Sequence, residues 1–224
     1  VLPKRLSEQL YALSRRENAT LFMTLLAAFK VLVAKYTGQT DVAVGSPIAN
    51  RTRAELEGLI GFFVNTLVMR TGLGDDPQFT ALVDRVRQTA LGAYEHQDLP
   101  FEQLVIELNP ERDMSRNPLV QLMFAVQNAP MGALRLAGLE VSRQGFEGST
   151  TRFDLEFHVW EEDAGLSCVV MYCADLFDAG TIRRMLLHWQ TLLEAVVESP
   201  DRRISELSLM GEDERRRLLV DCNA

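Results

Sequence analysis

The chain has 224 residues, 47% of them apolar and 24% charged, and its 31 acidic against 23 basic side chains give a net charge of −8. That composition belongs to a globular protein with one sizeable core or two small ones. With no basic stripe anywhere, it excludes a nucleic-acid partner held by phosphate contacts. No membrane partner is expected either: the most apolar stretch, Leu21 to Ala34, is broken by Thr24 and Lys30 and is too short for a bilayer. Cys168, Cys173 and Cys222 match neither a disulfide framework nor zinc spacing, and read as buried free thiols in a reducing cytosol. The chain begins at Val1 and ends just after a charged helical pattern, and reads as a segment of something longer.

In chain order, Leu6 to Arg16 predicts a short helix, and Asn18 or Thr20 can cap a second. That second helix, to Tyr36, carries two apolar stripes, places most of its faces in a core and stops at Gly38. Asp41 to Ile48 reads as a strand ending near Pro47, which has no N–H for the ladder, and Ala54 to Leu59 as a brief helix. Ile60 to Arg70 is a continuous β-rich run, expected at the centre of a sheet. After a turn at 72–77, Phe79, Leu82, Val83, Val86, Ala90 and Tyr94 form one helical stripe. A further helix opens near Pro100, with Phe101, Leu104, Val105 and Leu108 as its buried face. Leu119 to Val126 predicts a strand, and Gly132 to Gly148 a hairpin or excursion. Phe153, Leu155, Phe157 and Val159 alternate with Asp154, Glu156 and His158, which predicts a strand with one wet face. Leu166 to Ala174 reads as a central strand. Asp178 caps the most regular helix, from Ile182 to Val197, and Ser199-Pro200 closes it. Ile204 to Met210 is expected to be extended, and Glu212 to Val220 a charged edge helix whose Arg215-Arg216-Arg217 face is solvated. Helices alternating with five or six strands give an α/β domain on a mixed sheet.

The chemistry-bearing residues are sparse. The closest two of the three histidines, His96, His158 and His188, are 30 residues apart. There is no adjacent His pair, H-E-x-x-H, G-x-S-x-G or phosphate-cradling glycine motif, so neither a metal site nor self-contained catalytic machinery is expected. His96 reads as a loop anchor, having no partner at motif spacing, and His158 as solvated. Polar residues at apolar strand ends stand out, because an unbonded buried amide or hydroxyl costs about 1–3 kcal/mol. They are Ser46, Asn65-Thr66, the turn from Arg112 to Asn117, and Gln127-Asn128. Each either ties a loop to a strand end or meets a ligand; at Asn117 the following Pro118 alone forces an extended backbone.

Three segments carry a family resemblance: Ile60-Gly61-Phe62-Phe63-Val64-Asn65-Thr66 with Arg70; His96-Gln97-Asp98-Leu99-Pro100-Phe101-Glu102; and Arg112-Asp113-Met114-Ser115-Arg116-Asn117-Pro118-Leu119. In this order they resemble the last three core motifs of the condensation domains of nonribosomal peptide synthetases. The ending L-S-L-M-G-E-D-E-R-R-R-L-L-V-D-C-N-A resembles the linker into a following adenylation domain. The resemblance covers nearly the whole chain, but only the second half of the family's domain.

It implies an α/β lobe of the chloramphenicol acetyltransferase type, a mixed sheet covered by helices, over residues 1–210, with a linker helix over 211–224. In the family two such lobes form a V, and phosphopantetheine arms enter a tunnel between them from opposite faces. There the acceptor amine attacks the donor thioester. The family's His-His-x-x-x-Asp-Gly motif lies in the first lobe, so no catalytic residue is expected in this segment, and the segment alone is expected to be inactive. Ser46, Asn65, Thr66, Arg70, Gln127 and Asn128 would line the tunnel. Gln97, Asp98, Pro100, Phe101, Glu102, Arg112, Asp113, Ser115, Arg116, Asn117 and Pro118 would be structural motif residues. No cofactor would bind directly, since substrates arrive on the 4′-phosphopantetheine of carrier proteins. The implied partners are the first lobe, donor and acceptor carrier proteins and an adenylation domain. Asn117-Pro118 and Leu99-Pro100 resemble the subtype that joins an L-donor to an L-acceptor. The rival is a non-catalytic condensation-like docking domain; a stand-alone acetyltransferase using coenzyme A would need its own histidine. A lobe without its partner should expose apolar surface, expected on the second stripe of the 21–36 helix and on the 60–69 strand.

Overall fold

Pro3, lacking an N–H, ends the two-residue strand β1 (Leu2–Pro3) and opens α1 (Lys4–Arg16). The computed structural model describes residues 1–51, 53–109, 116–127, 150–162 and 164–219. Asn18, at φ 51°, turns the chain, and the Thr20 hydroxyl accepts from the Met23 amide to cap α2 (Leu21–Thr37). Met23 through Val33 are all buried, and α2 stops at Gly38, whose φ of 71° is the left-handed conformation glycine adopts without steric cost. There follow β2 (Asp41–Ile48), α3 (Ala54–Glu57), β3 (Asn65–Gly72), α4 (Phe79–Glu95), α5 (Phe101–Leu108), β4 (Leu122–Gln127), β5 (Leu155–Glu162), β6 (Gly165–Tyr172) and α6 (Ala179–Glu198). A 3₁₀ turn (Ile204–Glu206) and α7 (Glu212–Leu219) complete the described chain.

The sheet order is β1-β6-β5-β4-β2-β3. β1/β6, β6/β5 and β2/β3 are antiparallel, while β5/β4 and β4/β2 are parallel. α1, α2, α4 and α6 share one core with one sheet face. Its centre is aromatic: Phe29 lies 5.2 Å from Phe124 and 4.7 Å from Phe157, and Trp189 meets both edge-on. Lys30 also lies inside it, fully buried, its Nζ donating to the Val42 carbonyl at 2.8 Å and the Met69 carbonyl at 2.6 Å. That fastens α2 to the β2/β3 pair, and burial pushes the ammonium down to about 7. On the opposite sheet face Val120, Met123 and Ala125 are buried apart from this core. There Gly45 faces Met123 so closely that a Cβ would overlap the Met123 sulfur and sit 3.1 Å from Val120 Cγ2.

Several expectations change. Ile60 to Val64 is loop, and β3 is the edge strand, not a central one; Ile60 and Phe62 are 105% and 88% exposed. A continuous apolar run has the same pattern in a central strand and in a loop whose cover lies elsewhere. α5 buries none of Phe101, Leu104, Val105 or Leu108, and Leu108 is exposed. The α2 stripes, by contrast, are both covered, because α1, α4 and α6 surround the helix. The wet face of β5 is not wet: Glu156 is buried and His158 partly so. β4 starts later than expected, because Leu119 takes φ 65° in the turn after Pro118. The extended segment after α6 contains the 3₁₀ turn. Gly132–Gly148 lies outside the described residues, as does Cys222. Cys168 and Cys173 are free and partly buried, and burial pushes the Cys168 thiol up to about 12.

Candidate functional site

The first two motifs meet at Asn65, on the first residue of β3. Its Nδ2 donates to the carbonyls of Gln97 (2.9 Å) and Leu99 (2.8 Å). Its Oδ1 accepts from the amides of Thr66 (2.9 Å) and Phe101 (3.0 Å). Four bonds exhaust what a carboxamide can make. Asn65 is therefore a clamp between β3, the turn after α4 and the first turn of α5, its own hydrogen-bonding groups all used within the chain. Pro100, extended at ψ 141°, is the N-cap of α5, and Glu102 sits in the first turn, where its charge suits the helix dipole. Phe101 and Gln97 are partly buried, and Asp98 is exposed. His96 caps α4 through its backbone and is exposed; the anchoring is done by its main chain, its carbonyl accepting from the Leu99 amide at 3.1 Å.

The strand register places Ser46 and Thr66 at the same end of the sheet as Asn65. Ile48 pairs with Asn65, Pro47 with Thr66 and Ser46 with Leu67. β4 runs parallel to β2 from the Gly45–Met123 pair, so Gln127 ends at that edge too. Ser46 is buried on the helix-covered face with Val44, while Thr66 and Pro47 lie on the other face. Arg70 does not join them. Four residues beyond Thr66, about 14 Å along the strand, its guanidinium binds Asp41 in a fork, Nη2 to Oδ2 at 2.6 Å. The pair is solvent-exposed, at the wrong end of β3 for the site.

Of the third motif, Arg112, Asp113 and Ser115 lie outside the described residues, as does Asn128. Arg116 and Pro118 are exposed. Asn117 ties two segments together. Its Nδ2 donates to the Arg152 carbonyl, and its own carbonyl accepts from Gln121 Nε2 at 2.9 Å. The turn before β4 is thereby fastened to the segment that leads into β5.

Two polar constellations escaped sequence reasoning. Tyr36 Oη lies 2.7 Å from His188 Nδ1, and His188 Nε2 lies 2.8 Å from Glu214 Oε2, joining α2, α6 and α7. On the sheet face away from α1, α2, α4 and α6, Glu156 Oε2 lies 3.1 Å from His158 Nε2, and Oε1 accepts from Thr151 Oγ1 at 2.8 Å. The first joins residues too far apart in sequence for any spacing rule. The second was visible as alternating polar residues, but alternation does not tell solvent from a partner.

Three or more His, Cys, Asp or Glu side chains do not gather into a metal site among the described residues. No single helix among them is long and apolar enough to cross a membrane. The condensation domain family profile matches residues 1–219. The chain belongs to the condensation domain family. It is 50% identical over 222 residues to a linear gramicidin synthase of Brevibacillus parabrevis, covering 97% of this chain and 4% of that protein. It is 47% identical over 222 residues to chondramide synthase cmdD of Chondromyces crocatus, covering 99% and 6%. The condensation domain sequence thus spans only a few per cent of the length of these relatives. Among solved structures, a four-domain nonribosomal peptide synthetase bound to AMP and glycine superposes with a TM-score of 0.85 at 24% identity, over 96% of this chain and 17% of that one. The X-domain from teicoplanin biosynthesis superposes at 0.86 and 28% identity, over 93% and 48%. The six-stranded mixed sheet with helices is the chloramphenicol acetyltransferase-like fold expected from the sequence.

Proposed function

We propose that this chain is the C-terminal half of a condensation domain. The complete domain joins a donor aminoacyl or peptidyl thioester to an acceptor aminoacyl thioester, each held on the 4′-phosphopantetheine of a carrier protein. The acceptor nitrogen attacks the thioester carbonyl, a C–N bond forms, the C–S bond breaks, and the donor carrier's thiol is released. Acyl transfer between two bound substrates gains chiefly from positioning, and this half supplies positioning. The Asn65 clamp is the observation that carries the reading. It fixes the first two motifs into one rigid edge beside Ser46 and Thr66, with no acid–base group among those residues. The chain's match to 48% of the solved X-domain supports the half-domain reading.

The missing half is the partner for the exposed apolar loop carrying Ile60 and Phe62 and for the uncovered side of α5. Donor and acceptor carrier proteins are the further partners, with a following adenylation domain joined through the segment from residue 211 on, in the cytoplasm. No cofactor is bound by this half itself. A second reading, a non-catalytic docking domain, is favoured by one observation: a solved X-domain similar to this chain, TM-score 0.83 at 28% identity, is described in complex with OxyB. Loaded donor and acceptor carriers incubated with both halves test the choice. Dipeptidyl thioester detected by mass spectrometry supports the condensing enzyme; its absence from a correctly assembled domain leaves the docking reading.

A further inference from the structure

The sheet face away from α1, α2, α4 and α6 holds a carboxylate–imidazole pair that the clamp and the motifs do not use. Glu156 is 9% exposed. One oxygen accepts from Thr151 Oγ1 at 2.8 Å and from the Arg152 amide at 3.2 Å; the other faces His158 Nε2 at 3.1 Å. Burial alone would raise this carboxyl, but the bonds from Thr151, His158 and Arg152 outweigh it and hold it below the usual range. An ionised carboxylate only accepts, so Nε2 carries a proton, and in the neutral ring Nδ1 is the acceptor. Among the described residues Nδ1 has no partner, while the side chain keeps 17% of its surface exposed and the ring stacks on Trp160 at 5.8 Å. An oriented imidazole with one free acceptor nitrogen is half of the arrangement used wherever a histidine must meet a proton-bearing group.

Its place in the sheet is specific. His158 pairs with Ala125, and Pro47 pairs with Thr66. Pro47 lies two residues beyond the Gly45–Met123 pair, level with Ala125. Thr66, Pro47, Ala125 and His158 therefore form one row across four strands on that face. Its two middle residues are small, and its polar ends are about 14 Å apart. We propose that His158, held in one tautomer by Glu156, accepts a hydrogen bond from an N–H group of the carrier-tethered substrate at its own, partly exposed end of this row. That group is the acceptor's amine or an amide of its pantetheine arm. His158 is the binding residue and Glu156 the positioning residue. The inference rests on the condensation reading for its substrate class.

Histidine-labelled complete domain, both halves together, provides the test by ¹⁵N NMR. The His158 signal is identified as the one missing from His158→Phe, which keeps a ring against Trp160. Two probes are added: an aminoacyl-pantetheine with an amide in place of the thioester, and its deamino counterpart. Movement of the Nδ1 resonance with the first alone assigns the amine, and with both assigns the arm; an unmoved resonance with both overturns the proposal. Glu156→Gln should invert the tautomer signature of His158 and raise KM for a soluble aminoacyl thioester by up to about tenfold, the upper size of one neutral hydrogen bond, with kcat little changed. An unchanged KM and tautomer in Glu156→Gln also overturn it. The NMR readout needs no turnover. An active domain with an unmoved His158 sinks this inference alone, whereas an inactive domain in which His158 responds sinks the condensation reading alone.

Discussion

Asn65→Asp tests the clamp most sharply, because it turns a donor into an acceptor without changing shape. The amides of Thr66 and Phe101 keep their partner, now charge-assisted and near the N-terminus of α5. The carbonyls of Gln97 and Leu99 lose theirs and face an oxygen instead. Two lost bonds at about 1 kcal/mol each plus oxygen–oxygen repulsion, offset by about 1 kcal/mol on the amide side, leave a cost of about 1–3 kcal/mol. The two carbonyls disfavour the charged form, so the folded-state pKa of the introduced carboxylate lies above its unfolded value of about 3.9. The penalty is full above the folded value, shrinks as pH falls through it, and below the unfolded value is reduced to the one carbonyl bond that the single O–H of the protonated carboxyl cannot replace. Asn65→Ala strands all four groups and should cost about 2–4 kcal/mol at any pH, the partial exposure of the site letting water satisfy some of them. Urea unfolding followed by Trp160 and Trp189 fluorescence, from about pH 7 down to about pH 4, measures both variants. Hydrogen exchange should show the Thr66 and Phe101 amides unprotected in Asn65→Ala and protected in Asn65→Asp. An Asn65→Asp chain as stable as wild type at neutral pH, or a penalty that stays constant on acidification, would refute the clamp.

Lys30 is neutral in the fold above about 7 and charged in the unfolded chain up to about 10.5, so unfolding takes up a proton between those values. Wild-type stability should therefore climb with pH across that window relative to Lys30→Met, by about 1.4 kcal/mol per pH unit; parallel curves for the two would show the lysine to be charged in the core. Glu214→Ala should cost about 1 kcal/mol and speed hydrogen exchange across α7 while leaving α6 protected, because His188 holds α7 through that carboxylate. Replacing Ile60 and Phe62 together by Ser should reduce hydrophobic-dye binding and self-association without lowering the unfolding midpoint, since both side chains are exposed. Unchanged dye binding would place the sticky surface elsewhere.

Much of the fold was legible because its helices carry one-sided or all-round apolar patterns. The stripe of Phe79, Leu82, Val83, Val86 and Ala90 is the buried face of α4, Asp178 caps α6, and Gly38 ends α2. Ile60 to Val64 was misplaced because hydrophobicity records that a surface is covered, not by what. The same holds for α5, whose apolar side finds no cover within the described chain. At Asn65 the sequence offered two uses for a polar residue at a strand end, and the geometry selects the loop-tying one through bonds to residues 32, 34 and 36 positions away. Arg70 lies far from Asn65 and Thr66 because most of the length of β3 separates motif ends that look adjacent in sequence. The pattern around His158 reads as a solvated face because alternation reports which face a residue occupies and not what lies over that face.

A titration of activity tests the half-domain account most directly. With loaded donor and acceptor carriers fixed, the preceding half of the domain is added stepwise to this chain, and the intact mass of the acceptor carrier is followed for the added residue. Condensation should be absent without the preceding half, rise in proportion, and saturate at one equivalent. Amide formation by this chain alone, or none at any ratio while the two halves form a stable complex, would contradict the account.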